Sequence, residues 1–396
     1  MTNASVELKV VHDLSTISQA AWDRLGPPDQ NPFVCWTFLE GLERCGCAAP
    51  TRGWWPCHLT AWQEGELIAA APAYVKADSS GDFSRDWGLP DSAAREGVSY
   101  YPKLVIGVPF SPVTGRRILL REGVDRTEVT RWLLTLAREL CQHSKLSTIQ
   151  VLYHDPEEVE AFASAGLSCR VLVQYHWRNR DYSDFGDWLA ALPGKKRTQI
   201  RRERKEPARQ GISIRTIRGE EMAADPNQWA DIGWRLYQAN SHKHYWGGTY
   251  LNHEFYRHLF SAMPDRAELV IAEREGKAIA GAMNLASPTH LFGRYWGCLE
   301  EHRFLHFNVC LYHSIDRCIR YSSQVFEGGA GGEHKLARGF DPTLVYTAYL
   351  FLDEAFHDAV SRYFEAETAS RQQELRRWHA QRAPRVATVE SAVVRK

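Results

Sequence analysis

Residues 326–340 read Phe-Glu-Gly-Gly-Ala-Gly-Gly-Glu-His-Lys-Leu-Ala-Arg-Gly-Phe, so four glycines run directly into Glu333, His334, Lys335 and Arg338. No other stretch sets so much backbone freedom beside so many ionisable side chains. Glycine permits sharp turns and close approach of the backbone to a ligand, at an entropic cost. The stretch therefore reads either as a functional loop or as a solvated connection after a strand. A buried carboxylate can have its pKa raised toward neutrality and move a proton there; an imidazole titrates in that range unaided. Glu333, His334 and His306, which stands before a helical pattern, are the candidates for such work. Gly293-Arg294-Tyr295-Trp296-Gly297 reads as a strand bounded by glycines, with Arg294 and Trp296 on one face and Tyr295 on the other. Three other chemistries are weak. Residues 328–332 lack the GxxxxGK[ST] phosphate-loop pattern, and His242-Lys243-His244 lacks zinc-ligand spacing. Cys298 and Cys310 have no neighbour that would stabilise a thiolate.

Positioning these groups falls to a chain of 396 residues, enough for two ordinary domains. Its 48 basic and 48 acidic residues cancel, so no global field draws in nucleic acid, and such a partner needs a local patch. The one strong charge run is Lys195-Lys-Arg-Thr-Gln-Ile-Arg-Arg-Glu-Arg-Lys205, following Pro193-Gly194. Glu203 and Glu206 offset part of it, and a solvated helix is the plainer account. Nine scattered cysteines fit reduced thiols better than disulfides or a metal site. The first residues carry no signal-peptide pattern and no apolar run approaches a membrane span, so a cytoplasmic protein is expected, with peripheral membrane contact left open.

Along the chain, residues 6–11 alternate as a strand and 31–45 form a helix. Residues 58–62 and 66–76 flank Glu64-Gly65 as a hairpin. Residues 78–101 read as a long polar loop, 125–141 as a helix, and 148–153 as a buried strand. Later come a strand at 212–217, helices near 226–240 and 252–262, and a second hairpin. That hairpin aligns without a gap on the first: Ala61-Trp-Gln-Glu-Gly-Glu-Leu-Ile-Ala-Ala-Ala on Ala272-Glu-Arg-Glu-Gly-Lys-Ala-Ile-Ala-Gly-Ala, with six identities. Each hairpin is followed by a strand, a long helix (125–141; 306–321) and a buried strand. A period near half the chain means two copies of one α/β unit.

The order strand, helix, antiparallel hairpin, strand, helix, strand resembles the GNAT acyltransferase fold, and its doubling resembles FemAB-like acyl- and aminoacyltransferases. Gly53-Trp-Trp-Pro56, Asp86-Trp-Gly88, Tyr100-Tyr-Pro-Lys-Leu104, residues 108–117 and 195–204, Gly293–Cys298, Leu305-His-Phe307 and Gly332–Gly339 carry the likeness to the FemAB-like family of peptidoglycan biosynthesis/recognition proteins. The resemblance implies an α/β (α+β) fold of two tandem GNAT-like units, each a mixed, largely antiparallel sheet flanked by helices. The expected units span 1–180 and 212–365, with a basic helical connector at 181–211 and a C-terminal helix and tail at 366–396.

It also implies transfer of an acyl group from an activated carrier to an amine. That reaction needs a base, for which Glu333, His306 and His334 stand, and donors for a developing oxyanion, for which Arg294, Tyr295 and Arg338 stand. Trp296 and Lys335 join Arg294 as expected substrate contacts, and Asp86, Tyr101 and Lys103 are expected to close over the cleft from the first unit. GNAT enzymes cradle CoA pyrophosphate on a glycine-rich helix start. Residues 303–308 have no glycine and the first copy offers only Arg121-Glu122-Gly123, which disfavours a small acetyl donor. Lys195, Lys196, Arg197, Arg201 and Arg202 would instead hold a larger phosphate-bearing carrier. The expected co-substrate is acyl-CoA or an acyl carrier protein thioester, with no permanently bound cofactor and no metal. The acceptor is a small-molecule or lipid amine, including a long-chain amine as in bacterial ceramide synthesis. Two alternatives remain: an aminoacyl-tRNA-dependent ligase of the FemABX type, and a non-catalytic ligand-binding protein.

Overall fold

The computed structural model describes residues 5–26, 31–241, 248–329 and 331–382, and the His242-Lys243-His244 cluster lies outside them. The first half supplies β1 (Val6–Val11), β2 (Trp54–Pro56), β3 (His58–Gln63), β4 (Glu66–Ala71), β5 (Ala73–Lys76), β6 (Lys103–Ile106), β7 (Leu119–Leu120), β8 (Thr148–His154) and β9 (Ser168–Arg178). The second supplies β10 (Ile212–Ile217), β11 (Ala267–Arg274), β12 (Lys277–Ala286), β13 (His290–Cys298), β14 (Val325–Glu327) and β15 (Asp341–Phe351).

The duplication is visible in the backbone. Glu64 and Gly65 turn between β3 and β4 with φ of 52° and 80°, and Glu275 and Gly276 turn between β11 and β12 with 52° and 73°. Positive φ at both central residues suits a two-residue hairpin to the twist of its strands. The register slips at Ala61/Trp62 in one hairpin and at Ala272/Glu273 in the other, positions that align in the sequence repeat. Each unit then contains one parallel pair, β6 with β8 and β13 with β14.

The last strands are exchanged. β9, from the first half, pairs with β14, while β15, from the second, pairs with β8; β9 and β15 also pair with each other. One eleven-stranded sheet therefore runs through both units in the order β10-β11-β12-β13-β14-β9-β15-β8-β6-β5-β2, beside a four-stranded sheet β1-β3-β4-β7. All seven residues of β8 are buried. On one face Leu133 and Ala137 of the helix Arg126–Ser144 pack on Ile149 and Val151. On the other, Phe356, Val360 and Phe364 of the helix Glu354–Arg382 share a core with Leu152 and Tyr153. Cover on both faces explains why even its polar residues, Thr148, Gln150 and His154, are buried.

Several local readings change. The expected loop at 78–101 contains a helix, Leu89–Arg95, started by a proline in its first turn after left-handed Gly88. The C-terminal helix begins at Glu354, so residue 366 falls inside it. The helix expected at 306–321 begins at Leu305 and widens into a π turn over Asn308–Tyr312 before resuming at His313. The basic run becomes the helix Gly194–Arg209, which buries Ile200, Glu203 and Pro207.

Candidate active site: a wedge and a cleft at one strand step

β13 and β14 pair for only three residues, His290–Phe292 with Val325–Glu327. Beyond that point they part, and a pocket of about 220 Å³ occupies the wedge. Its walls include Arg294, Trp296, His306, Cys310, Gly328, Gly329, His334 and Lys335. A bulge helps to open it: Met283 of β12 faces Tyr295 and Asn284 faces Gly293, leaving Arg294 as the extra residue. Such an insertion bends a strand and re-aims its side chains. The alternation expected at 293–297 is thereby broken, and Arg294 and Tyr295 both donate to the Phe110 carbonyl of the first unit, Tyr295 at 3.0 Å.

The glycine loop forms the opposite wall. Gly329, Gly331 and Gly332 have φ of 80°, 76° and 92°, which turns the carbonyls of Gly329 and Gly331 onto the Lys335 ammonium at 2.7 and 2.8 Å. An ammonium has three N–H donors, and among the described residues only these two carbonyls accept from it, which leaves the third for the wedge. Burial without a carboxylate partner brings Lys335 down to about 8. His306 sits edge-on to Trp296, ring centres 5.1 Å apart. Burial, followed by the nearby His334, Lys335 and Arg338, takes it down to about 4. At neutral pH it is an uncharged and very weak base, contrary to the expectation that it titrates in the useful range. Burial likewise raises the Cys310 thiol, keeping it protonated.

One residue back along both strands, a second cavity opens. Phe292 and Glu327 line a cleft of about 690 Å³ where the two units meet. Asn31 and Thr114 come to it from the first half, His176 and Arg178 from β9, and Asp341 from β15. Glu327 is buried and accepts from the Thr114 backbone N–H at 3.3 Å. Burial pushes its carboxyl up to about 7, outweighing that bond and the guanidiniums of Arg117 and Arg294. The Asn31 side chain donates to the Thr114 carbonyl at 2.8 Å, so Thr114 is held at both its N–H and its C=O. Asp341 pairs with Arg180 at 3.1 Å. Burial takes His176 down to about 3, and its Nε2 lies 3.1 Å from the Gln174 side-chain oxygen.

The wedge thus gathers Arg294, Tyr295, Trp296, His306, His334 and Lys335, although the Tyr295 hydroxyl is turned away to Phe110. Glu333 is exposed and lines neither cavity, which corrects its assignment as the base. Arg338 is buried and forks onto Glu203 at 3.2 and 3.0 Å, with its guanidinium 3.3 Å from the Phe307 ring centre. It ties the basic helix to the glycine loop and is not free to polarise a carbonyl. Asp86, Tyr101 and Lys103 also line neither cavity. Lys103 is buried between Asp82 (2.8 Å) and Asp86 (2.9 Å), and Ser79 joins Asp86 to Tyr101. This network braces the loop whose Gly81 carbonyl accepts from Phe110 N–H at 3.0 Å. Lys195, Arg201 and Arg202 are exposed, while Lys196 and Arg197 donate to the carbonyls of Leu336 (2.9 Å) and Leu192 (3.4 Å). None of the five lines the wedge or the cleft. Local sequence does not single out Glu327; the one signal it carries is a carboxylate ending the strand Val-Phe-Glu immediately before the glycine loop.

Two copies of one hairpin-containing unit, each with one parallel pair and joined through a shared sheet, define a tandem GNAT-like protein. The chain belongs to the FemAB-like family, described as peptidoglycan biosynthesis/recognition, whose model matches residues 13–385. Among solved structures, FemX is 12% identical over 87% of this chain and 98% of its own, with a TM-score of 0.50, which shows a shared fold. A tandem GNAT protein from the clavulanic acid biosynthesis pathway, solved without AcCoA, is 15% identical over 88% of this chain and 98% of that one, with a TM-score of 0.45. No functionally curated protein matches the sequence. Family and fold thus agree in setting the chain beside the Fem-type proteins.

Proposed function

We propose that this protein is an N-acyltransferase that moves an acyl group from a thioester, on CoA or a carrier protein, to an amine. The observation that carries this reading is Glu327, a buried carboxylate poised at about 7 on the strand step between wedge and cleft. A base of that pKa takes a proton from an ammonium near neutral pH. The amine lone pair then attacks the thioester carbonyl carbon, and the developing oxyanion meets the free N–H of Lys335. The carbon–sulfur bond breaks, releasing the thiol, and the nitrogen's second proton leaves as the amide forms. In this reading the donor occupies the wedge, the acceptor the cleft, and they meet where β13 and β14 part. Leu25, Val34, Leu119 and Phe292 line the cleft together with Glu327. An apolar wall beside a proton acceptor supports an amine with a hydrocarbon chain.

The second reading, an aminoacyl-tRNA donor, is supported by membership of the FemAB-like family. Incubation with acyl-CoAs, an acyl carrier protein thioester and long-chain amines, followed by mass spectrometry, tests the first. An amide product that is lost in Glu327→Gln is expected. No amide at any chain length overturns it, and amide formation that needs aminoacyl-tRNA and is abolished by ribonuclease moves the assignment to the second reading.

A further inference from the structure

The helix Gly194–Arg209 is held by its half-buried side, where Arg204 pairs with Asp316 at 3.1 Å and packs 3.6 Å from the Phe185 ring centre. Asn308 donates to its Glu203 carbonyl at 2.9 Å, and Lys196 reaches Leu336. These bonds set the helix directly against the π turn and the loop that wall the wedge. Its outer side exposes Lys195, Thr198, Arg201, Arg202, Lys205, Ala208 and Arg209. Residues 195, 198, 202, 205 and 209 recur at three- and four-residue steps, which makes one stripe about 20 Å long. Lys195, Arg201, Arg202 and Lys205 make no ion pair with any described residue, whereas Arg209 faces Glu206 at 3.8 Å.

We infer that this stripe docks a small acidic protein that presents the acyl thioester to the wedge on a flexible arm. The inference rests on the acyl-transfer reading above. What lies between the cations selects the partner. A helix that beds into an anionic membrane carries apolar or aromatic side chains beside its charges, and a site for a single-stranded nucleic-acid end carries aromatics on which bases stack. The exposed positions between these cations are only threonine and alanine. The chain as a whole has no net charge, so it offers a long polyanion no extended attraction, while a compact acidic surface needs only a local patch. The wedge itself, at about 220 Å³, suits a thioester on a thin arm better than a bulky nucleotide.

The test uses the full chain, a purified acidic acyl carrier protein, deacylated tRNA and phosphatidylglycerol vesicles as probes. The triple variant Lys195→Glu/Arg202→Glu/Lys205→Glu changes only exposed residues, and Lys277→Glu, on the second hairpin, controls for charge reversal elsewhere. Carrier-protein affinity is expected to fall at least tenfold in the triple variant, to weaken with salt in the parent, and to stay within twofold in the control. With an acyl pantetheine thioester as donor, which has no protein to dock, KM is expected to be the same in the triple variant as in the parent. Carrier affinity unchanged by the triple reversal overturns the inference. So does reversal-sensitive binding of tRNA or vesicles without carrier binding. Absence of amide from the pantetheine thioester in the parent would instead overturn the acyl-transfer reading, and the binding titration still decides the docking surface.

Discussion

Thr114 donates its backbone N–H to the Glu327 carboxylate at 3.3 Å across 213 residues of chain. The donor belongs to the first unit and the acceptor ends a core strand of the second, so the proposed base is complete only where the units interlock. The exchange of β9 and β15 holds that junction, because separating the units would break both ladders at the centre of the sheet.

If Glu327 is the base, its ionisation sets the acidic limb of the rate profile. Activity should rise as pH passes through about 7, and Glu327→Gln should lower kcat by about 10²–10⁴. The same group predicts a stability effect. Its folded pKa lies above the ordinary carboxylate value of 4.5, so its contribution is fully present below about 4.5 and is lost as pH rises through about 7. Glu327→Gln should therefore be more stable than the parent at pH 8, by on the order of 2 kcal/mol, and no more stable at pH 4. Thermal melts at the two pH values check this; equal gaps at both would remove the raised pKa.

Lys335 predicts the alkaline limb. With its ammonium brought down to about 8, activity should decline above that pH. Lys335→Met should cost about 10²–10³ in kcat. Lys335→Arg keeps a charge that does not titrate, so its residual activity should lack the alkaline limb. A decline at the same pH in Lys335→Arg would assign the limb to another group.

Gly329 should tolerate no side chain. Its φ is 80°, and a Cβ there would stand 3.2 Å from the Gly293 carbonyl of β13. Gly329→Ala should lose about 1–2 kcal/mol from left-handed strain and also displace a carbonyl that holds Lys335. The activity loss should exceed what unfolding explains, as read by kcat at a temperature well below the melting transition.

Glu333 and Arg338 should behave oppositely to their sequence promise. Glu333→Ala, at an exposed position, should change stability by less than about 0.5 kcal/mol and leave kcat within twofold. Arg338→Ala strands the buried Glu203 carboxylate and should cost about 3–5 kcal/mol, measured by denaturant unfolding. A tenfold kcat loss in Glu333→Ala would restore it to the site.

What the sequence determined by itself was the repeating unit and the glycine stretch that walls the wedge. The Glu-Gly turns, the aligned hairpins and the element order are local patterns, set by turn chemistry and by the period of apolar residues, and they hold in the backbone. The glycines before Lys335 mark the wedge for the same reason, since glycine takes those φ values without the steric cost of a side chain and so turns carbonyls inward. What only tertiary structure decided was which side chains face a cavity and which are spent on packing. The bulge at Arg294 overturned simple alternation, Glu203 claimed Arg338, and Asp82 and Asp86 claimed Lys103. Glu327 owes its raised pKa, and with it the role proposed for it, to burial at a junction that includes a strand from each half. Burial and partner choice are summed over residues far apart in the chain, and a carboxylate's pKa follows from that sum and not from its neighbours in sequence.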